Sequence, residues 1–122
     1  MIEMASIGRG VPNVEAFDKV MGRARYGMDI AFPGMLHAKV VRSPLPHARI
    51  LNLDISRAKS LAGVKAVLAG ADTPGAKYGE WHRDETILAI EKVRFVGEEV
   101  AVVVATDEET ALEGLELIRV DY

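Results

Sequence analysis

The densest run of chemically capable side chains in this chain is Lys77-Tyr-Gly-Glu-Trp-His-Arg83. An aromatic pair with cationic neighbours, hinged on glycine, is the kind of surface that contacts a planar or anionic ligand. The bland alternative is that Trp81 packs its edge against the core. The three histidines, His37, His47 and His82, have no short spacing of the His-x-x-x-His kind that would ligate a metal. His37 reads as a solvated residue on the polar face of a strand, and His47 as a loop residue making local hydrogen bonds.

Carboxylates cluster at Asp84-Glu85, Glu98-Glu99 and Asp107-Glu108-Glu109. General acid–base chemistry needs a carboxyl group tuned by burial or by a partner. Spacing supplies no such partner, so these acids read as solvated or as helix-start charges. Gly8-Arg-Gly10 lacks the later glycine and the preceding strand of a dinucleotide fingerprint, and Gly70-Ala-Asp-Thr-Pro-Gly75 lacks the Lys-Ser/Thr of a phosphate loop. No serine-nucleophile elbow is present. The expected set of catalytic, cofactor-binding and metal-ligating residues in this chain is therefore empty.

The elements that must position these residues follow from patterning. Phe95-Val-Gly-Glu-Glu-Val-Ala-Val-Val-Val-Ala105 reads as a turn and a buried strand feeding a helix near Thr106. Thr106 and Glu109 have capping-box spacing, and Asp107, Glu108 and Glu109 suit the positive end of the helix dipole. Ala111, Leu112, Leu115 and Ile118 form the expected apolar stripe.

Earlier in the chain, residues 1–16 read as an irregular lead-in, Asp18 to Gly22 as a turn and Ala24 to Ile30 as a short strand. Met35 to Arg42 reads as a strand with Leu36, Ala38 and Val40 on one face. Pro44 and Pro46 interrupt pairing. Leu51, Leu53 and Ile55 alternate inward. Ser56 caps a short helix that Gly63 ends in the left-handed region. Val64 to Leu68, Ile87 to Ala89, Val93 to Val96 and Arg119 to Tyr122 are further strand candidates. Gly70 to Asp84 is long for a connection, and such loops are functional or disordered.

Composition bounds the answer. At 122 residues, 49% apolar and 27% charged, one soluble α+β domain over 1–122 is expected, with a mixed β-sheet and two packed helices. A net charge of −3 gives no reason to expect nucleic acid or an anionic membrane as partner. Zero cysteines exclude disulfides, cysteine-bound zinc and iron–sulfur clusters from the chain. The start, Met1-Ile-Glu-Met-Ala-Ser, lacks a secretory signal pattern, and the run Val100 to Ala105 is far too short to span a bilayer. The cytoplasm is the expected location.

Three segments together carry a family resemblance: Asp18-Lys-Val-Met-Gly-Arg-Ala-Arg-Tyr26, Arg42-Ser-Pro-Leu-Pro-His-Ala-Arg-Ile50 and the Phe95–Ala105 stretch. In that order and spacing, from about Gly8 to Tyr122, the chain resembles the N-terminal domain of the large subunit of molybdenum hydroxylases. That family includes xanthine dehydrogenase, aldehyde oxidase and 4-hydroxybenzoyl-CoA reductase. His47 matches the second histidine of the family's Ser-Pro-His-Ala-His-Ala loop, whereas Leu45 stands where the first would be.

The resemblance implies an α/β-hammerhead fold, with Trp81 and His82 lining the wall of a substrate channel. It implies a molybdopterin-bound molybdenum centre and iron–sulfur clusters in the full complex, none held by this chain. The implied partners are the molybdopterin-binding domains and the iron–sulfur/FAD subunits, and self-association is expected of the isolated chain. Alone, the chain is expected to be inactive as an oxidoreductase. Asp72-Thr-Pro-Gly-Ala-Lys-Tyr-Gly79 leans toward the 4-hydroxybenzoyl-CoA reductase branch. The alternative is a free-standing binding or interaction module with the same fold.

Overall fold

The computed structural model describes Gly8 and residues 10–122. The chain divides after Pro33 into two compact units. In the first unit, α1 (Ala16–Val20) forms where a turn was expected, supported by an i,i+4 pair between Lys19 and Glu15 at 2.7 Å. The expected strand over Ala24 to Ile30 is instead interrupted by a one-turn 3-10 helix, Gly27–Asp29. The Asp29 carboxylate accepts the Tyr26 backbone N–H at 2.9 Å, a local bond that competes with any ladder. The lead-in ends at Ala16, with Asn13 and Glu15 tied by one side-chain bond; its first residues lie outside those described.

The second unit, Gly34–Tyr122, holds the core. Its strands are β1 (His37–Arg42), β2 (Ala48–Arg49), β3 (Asn52–Asp54), β4 (Val64–Ala69), β5 (Lys92–Val93), β6 (Glu99–Ala105) and β7 (Arg119–Asp121). Instead of one mixed sheet there are three sheets, ordered β1-β6-β4, β2-β5 and β3-β7, and every pairing is antiparallel. Pro44 and Pro46 turn the chain out of β1, and Ser43 N–H and C=O bond instead to Glu98 and Gly97 across the turn. That break starts the separate β2-β5 ribbon. Ile87 to Ala89 forms no strand, although Leu88 and Ala89 are buried and the Ala89 N–H reaches Glu99 O at 2.7 Å.

The apolar run of β6 occupies the centre of the three-stranded sheet, and Val100, Ala101, Val103 and Ala105 are wholly buried. Its two faces feed two clusters. One gathers Ala58, Val67 and Val103 with Leu115 and Ile118; the other gathers Ala89, Val93 and Val100 with Val41, Leu53 and Val120. On β1 the more covered face is the reverse of the apolar one, although Val40 is half-buried as well. His37 and Lys39 are half-buried, while Leu36 and Ala38 are exposed. Lys39 reaches α3 (Glu108–Glu116) and pairs with Glu108 at 2.5 Å, so an apparently polar face is the more covered one.

The helix cap lies one residue beyond the expected Thr106. Asp107 is the capping residue, accepting the Thr110 N–H at 2.8 Å, while the Thr106 hydroxyl donates to Asp107 at 3.0 Å. The packed stripe is Ala111, Gly114, Leu115 and Ile118, and Leu112 is exposed. A Cβ on Gly114 would lie 2.8 Å from Val103 Cγ1, so glycine sets how closely α3 approaches β6. Ahead of α2 (Ser56–Lys59) the Asp54 carboxylate, not a Ser56 cap, takes the first free N–H at 2.9 Å. Gly63 does adopt the left-handed conformation, at φ +93°. Leu51 lies just outside the β3 ladder and is exposed rather than inward.

Candidate functional site

The Lys77–Arg83 segment is the tip of a loop whose base is closed by backbone pairing. Tyr78 N–H reaches Glu85 O at 3.0 Å, and Glu85 N–H reaches Tyr78 O at 3.1 Å. The Tyr78 hydroxyl adds a bond to Thr86 O at 3.1 Å, and the Thr86 hydroxyl bonds Leu88 O at 2.8 Å. Because Leu88 and Ala89 are buried, these bonds tie the loop base to the core.

The tip turns at Gly79, with φ +141°. A Cβ there would sit 1.8 Å from the His82 carbonyl oxygen, so the close approach of the two backbones admits only glycine. Closing the turn this tightly leaves the intervening side chains no core to enter. Trp81 is 90% exposed, and His82 is exposed beside it. The alternative of Trp81 packing into the core is therefore not adopted.

At the loop base is a small cavity of about 170 Å³, with Tyr78 and Phe95 on its walls and Glu85, Arg94 and Glu98 among its polar lining. Glu98 is buried, contrary to the expectation of a solvated acid, and its carboxylate accepts both the Arg94 backbone N–H and, at 2.9 Å, the Arg94 guanidinium. Arg42 braces the same turn, donating to Gly97 O at 2.7 Å and to Glu99 at 2.6 Å. A bond from its own backbone N–H and the Arg42 guanidinium hold the Glu99 carboxyl below its ordinary pKa. These acids are engaged in fastening a turn. Sequence spacing could not reveal Glu98, whose partner Arg94 looks like any surface cation.

His37, His47 and His82 lie on different elements and are not brought together. Among the described residues no three His, Cys, Asp or Glu side chains group so as to hold a metal ion. Among those residues, too, no helix is long and apolar enough to cross a membrane.

What remains is a small antiparallel scaffold with an outward aromatic loop, and its kinship decides the frame. Residues 21–122 match the family described as aldehyde oxidase and xanthine dehydrogenase, a/b hammerhead domain. The chain belongs to this family. It is 41% identical over 117 residues to the nicotinate dehydrogenase large molybdopterin subunit of Eubacterium barkeri, covering 95% of this chain and 28% of that relative. It is 43% identical over 116 residues to the carbon monoxide dehydrogenase large chain of Afipia carboxidovorans, covering 89% and 14%.

Among solved structures, quinoline 2-oxidoreductase from Pseudomonas putida 86 superposes with a TM-score of 0.86 at 38% identity, over 98% of this chain and 16% of that one. The hammerhead fold is thus established. The chain spans less than a third of the length of the curated relatives described, so their activities are those of much longer polypeptides.

Proposed function

We propose that this hammerhead domain works as part of the large subunit of a molybdenum hydroxylase-type oxidoreductase, shaping the substrate passage and supplying no catalytic group. The observation that carries the proposal is the pairing of family membership with a 90%-exposed Trp81 on a loop tied to the core. An exposed tryptophan held by a fixed scaffold is a contact residue in want of a neighbour. In this reading Trp81 and His82 form one wall of the passage, and the molybdopterin-binding domains form the others. The molybdenum centre and iron–sulfur clusters belong to those domains and to the iron–sulfur/FAD subunits, and the complex resides in the cytoplasm. The 4-hydroxybenzoyl-CoA reductase branch is a further candidate for the substrate class.

The test is to assemble the chain with the molybdopterin-binding domains of a large subunit and compare Trp81→Ala with the parent. The expected result is an unchanged molybdenum content and a KM raised several-fold for bulky substrates, with little change for small ones. Failure of the chain to assemble with those domains, or a KM unchanged across substrate sizes, would overturn the proposal in favour of a free-standing binding module.

A further inference from the structure

The short β2-β5 ribbon carries a pairing that works against its own stability. Arg49 stands directly opposite Lys92, and Ala48 opposite Val93. Val93 is wholly buried, so the period-2 alternation of both strands sends Arg49 and Lys92 outward on the same face. Like charges directly opposite on an antiparallel pair are destabilising. A ladder of two residue pairs has little stability of its own to spare.

Neighbouring cations are compensated: Arg94 by Glu98 and Arg42 by Glu99. Among the described residues neither Arg49 nor Lys92 has an ion-pair partner. Both line an open cleft of about 650 Å³, whose other walls are His47 and Glu91. Glu91, the single acid there, forms an ion pair with neither cation, and its backbone carbonyl accepts the Ile50 N–H at 2.9 Å. That bond and the buried Val93 fix the ribbon backbone, so the two cationic stems leave from fixed points.

We propose that this face binds a small oxyanion of the phosphate class, through the Arg49 guanidinium and the Lys92 ammonium, with the His47 imidazole beside them. A guanidinium offers a planar fork of donors matched to two oxygens of such a group, and an ammonium adds a compact charge. The bound anion supplies the counter-charge that the register withholds. Two cations are too small a footprint for a nucleic-acid backbone, and the net charge of −3 opposes one. None of these residues belongs to the Trp81 loop, so the inference stands apart from the channel role.

The test titrates the 122-residue chain with inorganic phosphate and, in parallel, with sodium chloride at matched ionic strength, following backbone and arginine side-chain NMR signals. The expected result is saturable shifts confined to 47–50 and 91–93 with phosphate alone, half-complete on the order of millimolar. Arg49→Gln and Lys92→Gln should each weaken binding about five-fold or more. Each should also melt above the parent in low salt, because the opposed charges are gone. That second readout keeps the test valid where binding is weak. Equal shifts with chloride, unsaturable shifts, shifts that survive both substitutions, or variants that melt below the parent would overturn the proposal. A titration with acetate giving tighter binding than phosphate would overturn the phosphate assignment.

Discussion

The Glu98 carboxylate is fastened to Arg94 twice, by the backbone N–H and by the guanidinium at 2.9 Å, and so closes the turn that carries Phe95, Val96 and Gly97. Glu98 is buried, and the turn also fixes the start of β6. Removing the carboxylate orphans a backbone donor and a cation together. Glu98→Ala should cost about 1–3 kcal/mol, the usual loss for an unsatisfied partly buried partner. Glu98→Gln keeps an acceptor oxygen and should cost less. Urea unfolding measures both, and equal losses would mean that charge, not acceptor geometry, holds the turn.

The helix cap gives a pH-dependent prediction. Bonds from the Thr110 N–H, the Thr110 hydroxyl and the Thr106 hydroxyl lower the Asp107 carboxyl pKa from its ordinary 3.8. The Lys39 ammonium similarly lowers Glu108 from 4.5. A carboxylate depressed in the folded state contributes stability that is complete above its unfolded pKa and is lost as pH falls through its folded one. Stability should therefore drop as acid is added below about pH 4.5. Asp107→Asn should remove part of that slope and Asp107→Ala should destabilise more than Thr106→Ala at neutral pH. Thermal melts between pH 2 and 7 check this; a larger loss for Thr106→Ala would return the cap to Thr106.

These corrections show where the sequence was legible. The β6 run, the helix after it and the left-handed Gly63 could be read because each depends on residues near in sequence. The more covered face of β1 could not, since it is decided by a helix nearly 70 residues later, where Glu108 gives Lys39 a partner. Gly114 was invisible as a packing residue because a stripe counted by apolar side chains passes over glycine. The same bias placed Leu112 in the core. For the loop, an aromatic–cationic run could be recognised, but the exposure of Trp81 follows from the Gly79–His82 backbone contact, which no spacing encodes.

Core accounting separates Val103 from Leu112. Val103 is wholly buried between β4 and α3, whereas Leu112 is 45% exposed. Val103→Ala removes two buried methyl groups and leaves a cavity, at about 2–3 kcal/mol. Leu112→Ala should cost under about 1 kcal/mol, as exposed substitutions do. Denaturant midpoints at constant slope test the order, and a larger loss for Leu112→Ala would put that side chain back in the packed stripe.

Gly79→Ala probes the loop without touching the core. The new methyl group would meet the His82 carbonyl oxygen at 1.8 Å, in a backbone conformation that alanine rarely adopts. Since the loop contributes no buried cluster residue, the chain should relieve the clash by opening the Tyr78–Glu85 bridge. Amide exchange at Tyr78 and Glu85 should quicken about ten-fold or more, while β6 amides keep their protection. Unchanged exchange at both amides would mean that the tip is not held by that backbone contact.

Trp81 is the one tryptophan in the chain, so its fluorescence reports on the loop alone. At 90% exposure its indole meets water on nearly all sides, and none of the described hydrogen bonds engages its N–H. The isolated chain should emit at the long wavelength of a hydrated indole and be quenched freely by acrylamide. Trp81→Ala should shift stability by no more than about 0.5 kcal/mol, because little area is buried there. If the loop is a channel wall, adding the molybdopterin-binding domains should move the emission to shorter wavelength and reduce quenching, since apolar cover replaces water. A shielded indole in the isolated chain would contradict the exposed geometry. An indole equally hydrated with and without those domains would contradict the channel role.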